Sequence, residues 1–353
     1  MTTKSEMTSM ERIVAAVQHK EADRVPCCPM IAGASRRVYG VTYAEWAKDG
    51  ELTGKCMLQA QELVGFDFFL TLVDLSVEAA DFGQEVVFPI ENTPHPNYDN
   101  PMIKCKDDYS KIQRFDPTKS PRMTEQIKYY NTLVAGRGST VPVCAFVYGP
   151  LGILSMLRSA EKLFVDCMKY KADVIEGLNI VEDVLDDYIK ATTETGAPAV
   201  ILDTLYSSEC IMSKKLWVET EGPFSTRMAN AVRKGGSMVL IHNCGNGPYF
   251  DVQIEAMEPA GISFLYPPAD CNNDWKVTKE KWGDKTCLIG VISPPQYGYI
   301  STPEEAKEEC KREIADLAKG GGFIMATGCE YPPNGSLLNA IAMMEAAELY
   351  GKY

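Results

Sequence analysis

Eight times along this sequence a short apolar, β-branched run, punctuated by Gly, Pro, Asp or Cys, gives way to a helical pattern. The runs lie at 25–31, 66–70, 141–148, 199–203, 237–242, 262–265, 286–292 and 322–327. Runs this short and this continuously apolar read as strands buried on both faces, and strands separated by helices pair in parallel through crossovers. Eight of them predict an α/β fold, a single (β/α)8 barrel of the TIM type, with an open doubly wound sheet as the alternative. A length of 353 residues accommodates one such barrel with additions. In a barrel, function collects at the C-terminal ends of the strands.

Two additions are legible, and residues 1–353 read as one domain containing both. MTSMERIVAAVQHK predicts an N-terminal helix over 8–20, ahead of the first strand. The stretch 71–140 is much longer than a strand-to-helix connection; it holds the extended-looking GQEVVFPI and a Pro/Asn-rich loop, which predicts a lid or hairpin inserted after the second strand. One late helix is readable in detail. Thr302 caps it, Pro303 takes its first turn, and Glu305 completes a Thr-x-x-Glu capping box. Its apolar stripe is Ala306, Cys310, Ile314 and Leu317, which makes Cys310 a core residue; Cys56, Cys144 and Cys167 read the same way.

Charge narrows the partners. Asp and Glu outnumber Lys and Arg by 48 to 35, a net charge of −13, which argues against nucleic acid or an anionic membrane surface as a ligand. The first dozen residues are polar where a secretory signal needs an apolar core, and no window of eighteen apolar residues exists to span a membrane. A cytoplasmic location is the expectation. The twelve cysteines form no Cys-x-x-Cys pair and read as reduced thiols.

Only three histidines are present. His19 closes the N-terminal helix beside Lys20 and reads as a solvated helix end; His95, between Pro94 and Pro96, reads as a loop residue. His242 ends a strand and is followed by Asn243, Cys244 and Gly245. Residues i and i+2 of an extended chain face the same side, so His242 and Cys244 can converge on one ion. The last strand runs into Gly328, Cys329 and Glu330, and in a barrel both strand ends open onto one face. His242, Cys244 and Cys329 are therefore the candidate metal ligands. Two thiols and an imidazole suit Zn2+, and an open fourth position is the mark of a catalytic site. Asp203, at the end of the fourth strand, and Glu221 are candidate acid/base groups or fourth ligands. The competing reading is three unconnected core side chains.

The pattern His242-Asn243-Cys244-Gly245 with Gly328-Cys329 resembles the His-x-Cys…Cys zinc motif of the corrinoid-dependent methyltransferases in the uroporphyrinogen decarboxylase superfamily, which include the methylcobamide:coenzyme M methyltransferases. ERIVAAVQHKEADRVPCCP is similar to that superfamily's opening, VYGPLGILSMLRSAE to its third strand and following helix, and WGDKTCLIGVISPP, STPEEAKEECKREIA, GGGFIMATGC and PPNGSLLNAIAMMEAAELYG to its C-terminal third. The resemblance covers nearly the whole chain and implies the same (β/α)8 fold. The decarboxylases carry Met-Arg-Gln-Ala-Gly-Arg after the first strand to hold porphyrinogen carboxylates. Here Met30 is followed by Ile31, Ala32, Gly33, Ala34 and Ser35, with Arg36 and Arg37 just beyond. Decarboxylation there is metal-free, which would leave His242, Cys244 and Cys329 without a purpose.

The resemblance implies transfer of a methyl group between a methylcobamide, supplied by a separate small corrinoid protein, and a small molecule. Zinc suits this chemistry because a coordinated thiol loses its proton well below its free pKa of ~8.5. Two cysteinates and a neutral imidazole bring the site near zero charge, and a third thiolate leaves electron density on sulfur for attack on a methyl group. Corrinoid carriers of the base-off type display Asp-x-His-x-x-Gly, whereas Val17, Thr93 and Leu240 stand two positions before the three histidines here. A small thiol such as coenzyme M is the expected acceptor. Demethylation of a methyl ether or methylated amine onto Co(I) is the close alternative; a decarboxylase-type lyase and a non-enzymatic, zinc-stabilised barrel are the more distant ones.

Overall fold

Residues 7–353 are described by the computed structural model of the protein; the first six residues of the polar opening segment lie outside the described residues. Ten strands follow in chain order: β1 Cys27–Cys28, β2 Phe69–Leu70, β3 Val86–Val87, β4 His95–Pro96, β5 Val143–Tyr148, β6 Ala199–Asp203, β7 Met238–Asn243, β8 Gly261–Phe264, β9 Cys287–Ile292 and β10 Phe323–Thr327. Eight form one all-parallel sheet in the order β1-β10-β9-β8-β7-β6-β5-β2, with helices between them, a nearly closed TIM-type barrel. From β5 onward each strand falls within two residues of the run that predicts it. β1 is cut to two residues because Pro26 and Pro29 flank it, neither with an N–H to donate, and Met30 turns to a positive φ of 38°.

The seam between β1 and β2 is bridged chiefly by one buried residue, Asp67, with Cys28 Sγ adding a bond to the Phe68 carbonyl at 3.2 Å. The Asp67 N–H donates to the Cys27 carbonyl at 2.9 Å, and the Cys27 N–H returns a bond to the Asp67 carboxylate at 2.9 Å. That carboxylate also accepts from Ser9 at 2.8 Å and pairs with Arg12 at 3.1 Å and Arg24 at 2.7 Å. The N-terminal helix Ser9–Val17, opened by a Thr8/Glu11 capping box, is thereby fastened across the seam between β1 and β2. His19, beyond its end, is half-buried rather than solvated, with Nδ1 3.0 Å from the Gly283 carbonyl oxygen.

The segment 71–140 divides in two. Its first part is an insertion: the helix Val77–Asp81, the antiparallel hairpin β3–β4, in which His95 pairs with Val87, and a 3-10 turn at Lys106–Lys111. Its last part is the helix Pro121–Arg137, which packs on Gly50–Val64 as an ordinary crossover helix. The insertion leaves the C-terminal end of β2 and is tied to the helices that follow β1 and β5: the Tyr43 N–H donates to the Ile90 carbonyl at 2.7 Å and the Ile103 N–H to the Leu157 carbonyl at 2.9 Å. The capping box at Thr302 and Glu305 is present on the helix Pro303–Leu317, whose Ala306, Cys310, Ile314 and Leu317 are buried. Cys56, Cys144 and Cys167 are buried as well. Among the described residues, no helix is long and apolar enough to cross a membrane.

Candidate metal centre

Sheet register builds the site. Asp203 on β6 stands opposite His242 on β7, and His242 stands opposite Ser263 on β8, so three polar residues share one level at the C-terminal end of three adjacent strands. Ser263 Oγ lies 3.0 Å from His242 Nδ1, which leaves Nε2 for another partner. Alternation along the chain then turns Asn243 away from His242 and Cys244. Its amide donates to the carbonyls of Thr204 at 2.9 Å and Ser207 at 3.0 Å and accepts from the Gly245 N–H at 3.0 Å, fixing the turn that carries Cys244.

Cys329 arrives from β10 through Gly328. A Cβ on Gly328 would lie 2.5 Å from Leu265 Cα, and one on Gly245 would lie 2.2 Å from Ser208 Oγ, so the chain can approach its neighbours this closely only where there is no side chain. The result is one cluster: ligand atoms of His242, Cys244 and Cys329 all lie within 4.8 Å of one another. Among the described residues, no other group of three or more His, Cys, Asp or Glu side chains is gathered in this way.

The electrostatics of the cluster are those of thiols competing for protons. Hydrogen bonds from Cys244 and then from His242 hold the Cys329 thiol well below its ordinary range, against the opposing effect of burial. Cys244 is pushed up in turn, first by its bond to Cys329 and then by burial. The His242 imidazole is raised by Cys329 and Asp203, although its burial works the other way. Burial, together with Cys329, lifts Asp203 to about 6 in spite of His242 and the Leu205 N–H, which donates to its carboxylate at 3.0 Å.

Glu221 sits deeper and apart from the three ligands. Its two oxygens accept from the Leu151 N–H at 3.2 Å and the Trp217 indole N–H at 2.8 Å, and burial raises it to about 8. A further carboxyl, Glu330, was not singled out from the sequence although it follows Cys329 directly at a strand end. It is half-buried, accepts from the Gly33 N–H at 3.2 Å, and is lifted to about 8 by burial and by Cys329. Ser263 carried no sequence signal at all, because its role depends on the register of β7 and β8.

The arrangement fits zinc on the chemistry of its donors: two thiols and an imidazole within reach of one ion at roughly 2.0–2.3 Å, with the far ring nitrogen of the histidine already engaged. Arg36 and Arg37, beyond β1, are otherwise occupied. Arg36 bonds Glu91 at 2.8 Å and Asn334 at 2.6 Å, and Arg37 donates to the Gly335 carbonyl.

The profile of the uroporphyrinogen decarboxylase (URO-D) family matches residues 8–350. A methylcobamide:CoM methyltransferase, MtaA of Methanosarcina barkeri, is 25% identical over 98% of this chain and 99% of its own length. A uroporphyrinogen decarboxylase of Geobacter metallireducens is 23% identical over 86% of each chain. Among solved structures, a methyltransferase from Methanosarcina mazei superposes with a TM-score of 0.82 at 22% identity, covering 97% of this chain and 98% of that one. A B12-independent methionine synthase from a Shewanella species superposes with a TM-score of 0.53 at 11% identity, covering 85% and 86%. These structural likenesses establish the shared barrel, and the match over nearly its whole length makes this chain a member of the uroporphyrinogen decarboxylase family.

Proposed function

We propose that the protein is a zinc-dependent methyltransferase that moves a methyl group between a corrinoid held by a separate protein and a small-molecule thiol. The observation that carries this reading is the His242, Cys244 and Cys329 cluster at the open end of the barrel, a donor set with no use in metal-free decarboxylation. The engagement of Arg36 and Arg37 with Glu91, Asn334 and Gly335 supports it, since neither guanidinium is free for a porphyrinogen carboxylate. Similarity to the methylcobamide:CoM methyltransferase favours a thiol acceptor.

His242, Cys244 and Cys329 would hold the zinc, which would supply the Lewis acidity that favours a deprotonated substrate thiol at neutral pH. The protein's own contribution is position and proton management. Ser263 fixes the imidazole plane of His242, and Asn243 fixes the turn that presents Cys244. To Asp203, next to His242 in the sheet, we assign the proton that the substrate thiol gives up. Glu221 is assigned a positioning role, because it clasps the start of the helix Pro150–Arg158 through Leu151.

The test is an absorbance assay of cobalt–carbon bond loss, using the purified protein, free methylcobalamin and a panel of thiols that includes coenzyme M. Slow turnover is expected, accelerated by a small corrinoid protein and abolished in His242→Ala. Decarboxylation of a porphyrinogen without metal, or purification with cobalamin tightly bound, would overturn the reading.

A further inference from the structure

Carboxyls flank the His242, Cys244 and Cys329 cluster on two sides. Asp203 stands beside His242 in the sheet, and Glu330 follows Cys329 out of β10. Glu330 is held from across the mouth. Its Oε1 accepts from the Gly33 N–H at 3.2 Å, and the Tyr43 hydroxyl, which donates to the Val73 carbonyl at 2.9 Å, lies 3.5 Å from the same oxygen. Gly33 follows β1 and Val73 follows β2, so this side chain sits among the ends of β10, β1 and β2.

The second oxygen is free. Glu330 Oε2 has no hydrogen-bond partner among the described residues and, unlike the sealed polar atoms of the core, belongs to a half-buried side chain that solvent reaches. Asp203 Oδ2 likewise lacks a partner, its Oδ1 taking the Leu205 N–H. No cation balances these groups. Among the described residues, no Lys or Arg pairs with Asp203, Glu221 or Glu330, and the arginines near the mouth are engaged elsewhere: Arg36 with Glu91 and Asn334, Arg37 with Gly335, and Arg122 with both oxygens of Asp74 at 2.7 and 3.2 Å.

A thiol seated at the open position of the metal has its sulfur beside Cys329, and Glu330 is the next residue, one Cα step of about 3.8 Å along the chain. A short tail on that thiol therefore meets an acceptor oxygen. An ammonium there donates to it and holds the carboxyl in its charged form, whereas a sulfonate brings further acceptors and negative charge to a place with no cation. We propose that Glu330 determines which thiol the site takes, selecting an ammonium-tailed thiol over a sulfonate-tailed one such as coenzyme M. This rests on the zinc–thiol reading of the site and names the tail of its substrate.

Three two-carbon thiols that differ only in the tail decide it: cysteamine with an ammonium, 2-mercaptoethanol with a hydroxyl, and coenzyme M with a sulfonate, each titrated calorimetrically into the zinc-loaded full-length protein. Cysteamine is expected to bind at least about ten-fold more tightly than coenzyme M, with 2-mercaptoethanol between them. In Glu330→Gln of unchanged zinc content, the ratio of cysteamine to coenzyme M affinity should fall by about ten-fold. Should that variant not hold zinc, the order of the three thiols on the unmodified protein decides by itself. The inference fails if coenzyme M binds as tightly as cysteamine, or if zinc-loaded Glu330→Gln keeps the full ratio; either result leaves the metal centre standing as a thiol site. Binding by none of the three overturns the thiol reading and this inference with it.

Discussion

His242 can offer one ring nitrogen to the thiols because Ser263 holds the other at 3.0 Å. Removing that hydroxyl leaves the three donors in place and frees the ring to rotate, so Ser263→Ala is expected to weaken zinc binding by about 10–100-fold, read by competition with a chromogenic chelator. Cys244→Ala and Cys329→Ala should lose the metal by elemental analysis while Cys310→Ala keeps it, since Cys310 lies on the buried face of the helix Pro303–Leu317. A residue outside the site carries a different liability. Glu182 is fully buried, neither of its oxygens has a hydrogen-bond partner, and Arg227 comes no nearer than 3.8 Å. Burial raises its carboxyl to about 8. A carboxyl with a higher pKa folded than unfolded favours the fold at low pH, and that contribution is lost as pH rises from the ordinary carboxylate range through about 8. Glu182→Met should therefore stabilise the protein on the order of 1–3 kcal/mol in mildly alkaline buffer and do little in acid. Denaturant melts across pH would show the gain growing upward; a gain confined to acid would contradict the linkage.

At the scale of elements, the seam between β1 and β2 is the unusual joint. A two-residue strand provides few ladder bonds, and Asp67 makes up the difference by binding the Cys27 N–H, Arg12, Arg24 and Ser9 at once. Asp67→Ala is expected to cost about 3–5 kcal/mol, because it takes the carboxylate from the buried Arg24 guanidinium and the Cys27 N–H and leaves Arg12 with Asp23 alone as its carboxylate partner. A chemical denaturation curve measures this, and an unchanged midpoint would mean that the barrel closes by other means. How well elements could be read from the sequence follows from where their causes lie. The helix Pro303–Leu317 announces itself through a local cap, a local proline and a four-residue stripe, all inside one segment. The strands from β5 onward do so through continuous apolarity. The extent of β1 depended on Pro29 and on Met30 turning left-handed, and the helix Pro121–Arg137 was hidden inside the insertion because its low apolar content marks no strong face.

For the whole molecule, the barrel has a core of its own, running through all eight strands and the helices around them, and the His242, Cys244 and Cys329 cluster is a small feature at one end of it. Chelating the metal should abolish methyl transfer and leave the fold in place, with circular dichroism and the thermal transition nearly those of the loaded protein; cooperative unfolding on chelation would make the zinc structural. Acid should act at the same point, releasing zinc and activity together as Cys244, Cys329 and His242 take up protons, before the core gives way. Local patterns along the chain were enough for the alternation of strand and helix, the buried cysteines and the residue types of the candidate metal centre, because periodicity, capping and a His-x-Cys spacing are properties of neighbouring residues. Register and closure were needed to set Ser263 beside His242, to carry Asp67 across the seam, and to bring Cys329 within ligand distance of Cys244, a meeting that the barrel reading anticipated from two strand ends on one face. Each of these joins segments distant in sequence, and their meeting depends on sheet register and closure, which no local pattern encodes.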